Sequence, residues 1–315
     1  MPQISQAFVL GAGLGTRLRP LTEQLPKPLV PIFQKPLITF ALDHLRSVGV
    51  ERFAINTHRL AHLFEEKFAE GMYAGAPLTL LHEPELLDTG GGIKNAENWL
   101  RPEPFIVYSG DILTDLELEP LIAEHLVRQN DVTLALRDTG LASGIAFEDG
   151  RVIDIGGKRG HPGVHDFANV SIWNPEIFAR IPVNTKISFI PILLEWIEQG
   201  GRIGGVLLNE QRWFNIGSHE DYLEVHRTIA EDRWRPDYVA AHDWPVLIAA
   251  DAVVDPSARL LGFNSLGIGC RVGAEAILEN TVVWPGAEIA ARSSLRNCIV
   301  RAHQKVEGTF VDIDI

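Results

Sequence analysis

The sequence predicts an α/β protein: a mostly parallel sheet flanked by helices, followed by a short parallel β-helix. Three observations predict this fold class. Short apolar runs alternate with helical patterns over residues 1–136, which is the order of βαβ units. A glycine-rich loop follows the first predicted strand, Ala7–Leu10. Towards the C-terminus, aliphatic residues recur every six positions, which is the period of a parallel β-helix.

The first part of the chain is predicted to alternate strands with helices. The predicted strands are Ala7–Leu10, Phe53–Asn56, Leu78–Leu81, Phe105–Tyr108 and Val132–Leu136, and the predicted helices are Leu37–Val48, Leu60–Glu70, Ile93–Leu100 and Leu116–Arg128. Apolar residues at helical spacing, ended by Gly49, indicate the first of these helices.

From Gly144 onward the pattern changes to a hairpin, further strands and two helices. The predicted elements are the hairpin strands Gly144–Phe147 and Arg151–Ile155, the strands Ala168–Trp173 and Arg202–Leu208, and the helices Phe189–Gln199 and Ser218–Asp232. The last helix opens with a capping-box pattern, Ser218 to Asp221. We expect a first domain over 1–232, a linker over 233–246 and a β-helix domain over 247–315.

The six-residue period predicts the β-helix. The residues six apart are Leu260, Leu266, Val272 and Leu278 on one phase, and Ile277, Val283, Ile289 and Leu295 on another. Three faces of six residues make a coil of ~18 residues, so 250–308 is predicted to hold about three coils. The alternative is a small antiparallel sheet. A stack this short favours a scaffold or a contact in a homo-oligomer over a catalytic site.

Composition excludes several classes of protein. The 315 residues are 46% hydrophobic and 22% charged, which is ordinary for a folded protein of about two domains. The formal net charge of −13 disfavours general nucleic-acid binding, which needs clustered Lys and Arg. Two cysteines are too few to stabilise a chain of this size by disulfide bonds. No apolar run reaches the ~20 residues of a membrane span. We expect a cytoplasmic protein that binds neither membranes nor nucleic acid.

A cluster of cations follows the glycine-rich loop, in an otherwise acidic chain. The glycines are Gly11, Gly13 and Gly15, and the cations are Arg17, Arg19, Lys27 and Lys35, against one acid, Glu23. Glycine lets backbone N–H groups approach phosphate, and the cations indicate a polyphosphate site. Four prolines between Pro20 and Pro31 interrupt the helix that a dinucleotide loop would start. The loop is therefore predicted to be extended, and an oxidoreductase is disfavoured.

The run from Gly11 to Pro31, GAGLGTRLRPLT and then LPKPLVPI, resembles the N-terminal motif of the sugar-1-phosphate nucleotidyltransferases. The resemblance continues through Thr89–Gly92, Gly110–Asp111 and Trp213–Tyr222, and the C-terminal repeats resemble the left-handed β-helix appended to several members. It implies a Rossmann-like core, a nucleoside triphosphate and a sugar 1-phosphate as substrates, and Mg²⁺.

The resemblance also implies roles for individual residues. Arg17 would bind the leaving pyrophosphate, and Lys27 would bind the phosphate that is attacked. The implied nucleotide-binding residues are Leu10, Gly11, Ala12, Gly13, Glu83, Thr89, Gly90 and Gly91, and the implied sugar-phosphate residues are Gly110, Lys158 and Asn169.

Two positions would hold the metal. Asp111 follows a buried strand, where carboxylates can bind Mg²⁺, and it matches the first metal ligand of the family; a helix N-cap is the alternative role. The second ligand of the family is the Asp of a Trp-x-Asp-x-Gly pattern, and here that position is Asn215. An amide oxygen brings no charge, so weaker Mg²⁺ binding is expected.

The resemblance leaves base and sugar open. The segment from Leu81 to Ile93 is most like uridylyltransferases acting on N-acetylmuramic acid 1-phosphate, whereas guanylyltransferases for mannose or heptose 1-phosphate more often carry the β-helix. Lys158 lies in Gly-Lys-Arg where many relatives have Glu-Lys-Pro, and Asn169 stands where relatives usually have Gly. Because Asn215 replaces a metal ligand, a catalytically weak regulatory subunit that binds a nucleotide sugar is the second hypothesis.

Overall fold

The computed structural model describes residues 3–140, 144–239 and 244–315. Residues 240–243 of the predicted linker lie outside the described residues. The helices of the described residues are α1 Leu21–Gln24, α2 Leu37–Ser47, α3 Ala61–Lys67, α4 Asp88–Asn95, α5 Leu118–Arg128, α6 Phe189–Glu198 and α7 His219–Glu231. None of these helices has the length and apolar character that crossing a membrane requires.

The strands of the described residues are numbered in chain order. They are β1 Gln6–Leu10, β2 Pro31–Ile32, β3 Lys35–Pro36, β4 Arg52–Thr57, β5 Met72–Tyr73, β6 Ala76–His82, β7 Phe105–Ser109, β8 Ile112–Thr114, β9 Val132–Arg137, β10 Ile145–Glu148, β11 Arg151–Ile155, β12 Asp166–Trp173, β13 Ile203–Leu207, β14 Trp213–Asn215, β15 Val253–Val254, β16 Arg259–Leu266, β17 Arg271–Val272, β18 Ile277–Val283, β19 Glu288–Ile289, β20 Ser294–Arg296, β21 Ile299–Val300, β22 Lys305–Val306 and β23 Thr309–Val311.

The chain divides into two compact units that differ from the predicted domains. The first, here called the sheet unit, runs up to Gly13 and from Ala41 to Trp213; the second, the β-helix unit, comprises Leu14–Phe40 and Phe214–Ile315. The segment from Arg17 to Lys35, here called the basic segment, and α7 therefore belong to the same unit as the β-helix.

The sheet unit contains a sheet of ten strands, in the order β10-β11-β13-β9-β12-β7-β1-β4-β6-β5. Its centre is parallel, because β1 pairs in parallel with β4 and β7, and β4 with β6. The edges are mixed, and β12 runs antiparallel to both of its neighbours. A buried core with Phe8, Val107 and Trp173 holds helices against the sheet. The predicted α/β class is confirmed.

Parallel pairing places the carboxyl ends of β1, β4, β6 and β7 at one edge of this sheet. Leu10, the last residue of β1, is in register with Asn56 of β4 and Ser109 of β7. Open α/β sheets bind their ligands at this edge.

Two predicted elements are wrong in detail. The helix predicted over Ile93–Leu100 is instead α4, which begins at Asp88 and ends at Asn95. Glycine has low helix propensity, but the Ile187 carbonyl accepts hydrogen bonds from Gly90 and Gly91 at 2.8 and 3.1 Å and stabilises the first turn.

The segment after the glycine-rich loop is not extended as predicted. It forms the short helix α1 and two 3-10 turns, Thr16–Leu18 and Lys27–Leu29. Proline is tolerated at the start of a helical turn, where its missing N–H would have no partner. The prolines therefore shorten these turns without excluding them.

The β-helix unit consists of stacked coils. Its two main sheets, β15-β17-β19-β22 and β16-β18-β20-β23, are parallel throughout their described pairs. The partner of a strand residue lies 17 or 18 positions further on, as from Val253 to Arg271 and from Arg271 to Glu288, except between β20 and β23, where it lies 15 positions further on. The residues of the six-residue period that are buried in the coils are Leu266, Val272, Leu278, Val283, Ile289 and Leu295. The predicted parallel β-helix is confirmed over the alternative antiparallel sheet.

Within this unit, hydrogen bonds connect the basic segment, α7 and the coils. Ser218 caps α7 by accepting a hydrogen bond from the Asp221 N–H at 3.1 Å. The Trp284 indole donates to the Tyr222 hydroxyl at 3.1 Å, and that hydroxyl donates to the Pro31 carbonyl. Gln34 donates to the Leu266 carbonyl at 3.1 Å. The basic segment is thus hydrogen-bonded to the β-helix, directly through Gln34 and by way of Tyr222.

Candidate functional site

The first glycine of the loop is held inside the protein. The Gly11 N–H donates to the Asn56 side-chain oxygen at 2.7 Å. A Cβ at Gly11 would lie 2.7 Å from the Asn56 carbonyl oxygen and 2.9 Å from Ile55 Cγ2, so only glycine fits there. Gly11 therefore allows the loop to lie close to β4, and its N–H is already hydrogen-bonded to Asn56.

The next residues of the loop are progressively more open. Ala12 is buried, whereas Gly13 is exposed and nothing lies within 4 Å of its Cβ position. Gly13 thus leaves open space beside its backbone. At the carboxyl end of β1, the Leu10 carbonyl accepts a hydrogen bond from the Gly110 N–H at 2.9 Å. This bond fixes the end of β7 against β1.

Glu83 follows β6 and is 1% exposed. Its Oε1 accepts from the Asn56 amide at 2.7 Å, and its Oε2 accepts from the Leu87 N–H at 3.0 Å. Burial raises the pKa of Glu83, and these two hydrogen bonds partly oppose that shift. Glu83 therefore organises the chain around it, and its predicted nucleotide contact remains a prediction.

The glycines at the start of α4 are closely packed. A Cβ on Gly90 would lie 2.9 Å from the Ile187 carbonyl oxygen, and one on Gly91 would lie 2.4 Å from the Thr185 oxygen. The Thr89 hydroxyl accepts from the Phe189 N–H at 3.2 Å. The segment 185–189 thus covers one side of the residues predicted to carry the base.

Asp111 is half-buried just beyond β7, as expected for a ligand at the carboxyl end of a strand. The alternative role as a helix N-cap is wrong, because α5 begins after Glu117 and has no side-chain cap. Asp115 instead accepts from the Arg212 N–H at 2.7 Å. Within the described ranges, His, Cys, Asp and Glu side chains form no group of three that could hold a metal ion.

Lys158 lies on an exposed loop whose backbone is hydrogen-bonded to the Asp154 side chain. Asp154 is fully buried and accepts hydrogen bonds from the backbone N–H groups of Ile155, Arg159 and His161 at 2.7, 2.7 and 3.0 Å. Burial alone would raise the pKa of Asp154, but the three N–H donors hold it below its usual value. The loop is thereby fixed in place while the Lys158 side chain stays exposed.

Asn169 has a left-handed backbone, with φ of 64°. The register of β12 against β9 shifts at this point, between Phe167 and Ser171. Glycine adopts this conformation without cost, and asparagine tolerates it better than most other residues. The Trp213 indole donates to the neighbouring Ala168 carbonyl at 3.0 Å, which holds the irregular strand.

The β-helix unit brings Arg17, Lys27 and Asn215 together. The Lys27 ammonium donates to the Asn215 side-chain oxygen at 3.3 Å, although Lys27 is only 6% exposed. The exposed Arg17 guanidinium lies 3.2 Å from the position that a Cβ on Gly217 would take. The two predicted catalytic cations therefore flank the Asn215–Gly217 stretch.

Sequence reasoning missed two residues that organise the sheet unit, Asn56 and Asp154. Each is a polar residue at or near the end of a predicted strand, which is the signal that would have found them. Their partners could not be predicted, because Asn56 binds residues 45 positions before it and 27 after it.

Comparison with known proteins identifies the family. The family model described as "Nucleotidyl transferase" matches residues 6–232. Mannose-1-phosphate guanylyltransferase of Mycobacterium tuberculosis is 29% identical over 90% of this chain and 81% of its own. N-acetylmuramate alpha-1-phosphate uridylyltransferase of Neisseria meningitidis is 30% identical over 68% of this chain and 93% of its own.

A solved structure shares the fold. The inositol-1-phosphate CTP transferase from T. maritima superposes with a TM-score of 0.60 at 20% identity, covering 73% of this chain and 98% of that one. Because the family model spans more than half of the residues, the chain belongs to the nucleotidyl transferase family, as its N-terminal motif predicts.

Proposed function

We propose that this nucleotidyltransferase transfers a nucleoside monophosphate from a nucleoside triphosphate to a sugar 1-phosphate, giving a nucleoside diphosphate sugar and pyrophosphate. The observation that carries the proposal is the placement of Arg17 and Lys27 around the Asn215–Gly217 stretch. A buried Lys27 and an exposed Arg17 beside the same stretch of an acidic chain suit a polyphosphate substrate. The relatives named as guanylyl- and uridylyltransferases of sugar phosphates support the same reaction.

The reaction asks little covalent chemistry of the protein. A sugar 1-phosphate is already ionised at neutral pH, so its oxygen needs no general base. That oxygen forms a bond to the α-phosphorus, the bond from the α-phosphorus to the bridging oxygen breaks, and pyrophosphate leaves with the electron pair. Lys27 would stabilise charge on the attacked phosphate and Arg17 charge on the pyrophosphate, by positioning and electrostatics.

We propose that Asp111 and Asn215 hold Mg²⁺, because the chemistry of their oxygen donors suits this ion. The Asp111 carboxylate and the Asn215 amide oxygen are hard oxygen ligands, and Mg²⁺ is usually bound by one or two such groups together with substrate phosphates. When bound, the ion would neutralise phosphate charge. The Asn215 oxygen accepts a hydrogen bond from Lys27, and its second lone pair could bind the ion.

The remaining contacts are assigned by the family motifs. Leu10 to Gly13 and Thr89 to Gly91 would bind the nucleotide, and Gly110, Lys158 and Asn169 would bind the sugar phosphate. The named relatives support guanylyl and uridylyl transfer alike. We further propose that the protein acts in the cytoplasm, and that the β-helix is the surface through which it forms a homo-oligomer.

A regulatory subunit is the second candidate, and Asn215 favours it. An aspartate in the family pattern would bring a negative charge to the metal and to Lys27, whereas asparagine brings none. Such a protein would bind a nucleotide sugar without turning it over.

Pyrophosphate release separates the two candidates. The protein is incubated with Mg²⁺, each nucleoside triphosphate and a panel of sugar 1-phosphates, and nucleotide-sugar binding is measured by calorimetry in parallel. Release with one dominant pair is the expected result. Binding of a nucleotide sugar without release would favour the regulatory subunit, and neither release nor binding would contradict both.

A further inference from the structure

We propose that Asn56 is a positioning residue for the nucleotide, and that its carboxamide locks the glycine-rich loop at Gly11 to the predicted base-binding segment at Glu83. The inference rests on the proposed function, and it assigns a role to a residue outside the motifs on which the family resemblance was based. Asn56 is the last but one residue of β4, lies at the carboxyl-end edge of the sheet and is 3% exposed.

The Asn56 side-chain oxygen has a hydrogen-bond donor as its partner, and the side-chain nitrogen has an acceptor. The oxygen accepts from the Gly11 N–H at 2.7 Å, and the nitrogen donates to Glu83 Oε1 at 2.7 Å. Rotating the amide by half a turn would place its nitrogen against an N–H and its oxygen against a carboxylate. Buried polar groups need their hydrogen bonds, so both partners fix one orientation.

The linkage extends to the helix that follows. Glu83 Oε2 accepts from the Leu87 N–H at 3.0 Å, one residue before α4 begins. A Cβ on Gly92 would lie 2.9 Å from the Asn56 amide nitrogen and 3.0 Å from Glu83 Oε1. Because Gly92 has no side chain, it leaves room for the Asn56 amide and the Glu83 carboxylate next to α4.

This linkage explains how two separate segments keep one geometry. The loop after β1 is predicted to contact phosphates and the segment after β6 the base, so a nucleotide needs both at a fixed spacing. Misplacement by about 1 Å can cost on the order of a hundredfold in rate. Both polar atoms of the Asn56 side chain are used by Gly11 and Glu83, so we expect Asn56 to act on the nucleotide through these two residues.

The test is a double-mutant cycle in the full chain, with the nucleoside triphosphate and sugar 1-phosphate that wild type uses best. Asn56→Asp places a carboxylate oxygen against Glu83, and Glu83→Gln places an amide nitrogen against Asn56 or Leu87. Each single variant should raise KM for the triphosphate by roughly ten- to a hundredfold, with a smaller effect on KM for the sugar phosphate. The double variant restores a donor facing an acceptor, so its KM for the triphosphate should return towards that of wild type.

Gln6→Ala is the matched control, because Gln6 is a buried amide at the opposite end of β1, with hydrogen bonds to Arg101 and Glu103. It should lower the melting temperature and leave KM for the triphosphate unchanged. If Asn56→Asp does not fold, Asn56→Ser, which keeps a small hydroxyl, takes its place in the KM comparison.

Unchanged KM for the triphosphate in the single variants would overturn the inference. So would an equal rise in both KM values, or a double variant no better than the singles. Absence of turnover in wild type would instead contradict the proposed function, so the two failures are distinguishable.

Discussion

Arg17 is the residue whose removal tests the proposed charge stabilisation. Its side chain is exposed, and exposed charges contribute little to stability. Arg17→Ala should therefore lower kcat/KM by about a hundredfold or more, with an unchanged melting temperature. Arg259→Ala, an exposed arginine of the same unit, is the control and should keep wild-type kinetics. Near-normal kcat/KM in Arg17→Ala would mean that Arg17 does not bind the pyrophosphate.

Asn215 tests the proposed metal ligand. Asn215→Asp adds a carboxylate that binds Mg²⁺ better than an amide oxygen does, so half-maximal activity should need less Mg²⁺. The Lys27 ammonium, 3.3 Å from the Asn215 oxygen, compensates the new charge, so the melting temperature without metal should not fall. Mg²⁺ titrations of rate and of melting temperature measure both effects.

Asn184→Asp is the control for that titration, since it adds the same charge at an exposed asparagine of the sheet unit. Its Mg²⁺ dependence should match that of wild type. If Asn215→Asp also matches wild type, Asn215 is not a metal ligand and the family pattern does not transfer to this position.

At the level of elements, the loop carrying Lys158 depends on Asp154. Asp154→Asn presents an amide nitrogen to at least one of the three N–H groups that the carboxylate accepts. KM for the sugar 1-phosphate should rise more than KM for the triphosphate. Asp149→Asn, at the exposed turn of the same hairpin, should change neither. Equal effects of the two variants would show that the Asp154 contacts do not position Lys158.

The same carboxylate makes a pH prediction. The pKa of Asp154 is held below its usual value, so its stabilisation is complete above the unfolded pKa of about 3.9 and is lost as pH falls through the lower folded value. The melting temperatures of wild type and Asp154→Asn should therefore differ at neutral pH and converge in acid. A constant difference down to acid pH would contradict this account.

The elements show which parts of the fold the sequence could predict. The six-residue period predicted the coils, because Leu266, Val272 and Leu278 are buried by a local repeat. The start of α4 could not be predicted, because the carbonyl that stabilises it belongs to Ile187, almost a hundred residues later. The motif residues Arg17, Lys27 and Asn215 were predicted individually, whereas the hydrogen bond between Lys27 and Asn215 follows only from tertiary structure.

At the scale of the whole chain, truncation after Asp232 tests the predicted domain boundary. The sheet unit has its own buried core, so the truncated protein should keep a folded α/β core by circular dichroism. The basic segment and α7 would lose Trp284 and Leu266 as hydrogen-bond partners. We therefore expect loss of pyrophosphate release and a lower melting temperature. Full activity after truncation would show that the β-helix does not support Arg17 and Lys27.

The fate of an oxygen label tests the central claim most directly. A sugar 1-phosphate carrying ¹⁸O in its non-bridging phosphate oxygens is supplied with the best nucleoside triphosphate and Mg²⁺, and the products are analysed by mass spectrometry. Attack by the sugar phosphate on the α-phosphorus places the label in the nucleoside diphosphate sugar and leaves the pyrophosphate unlabelled. Labelled pyrophosphate, or no nucleoside diphosphate sugar with any substrate pair, would contradict the account.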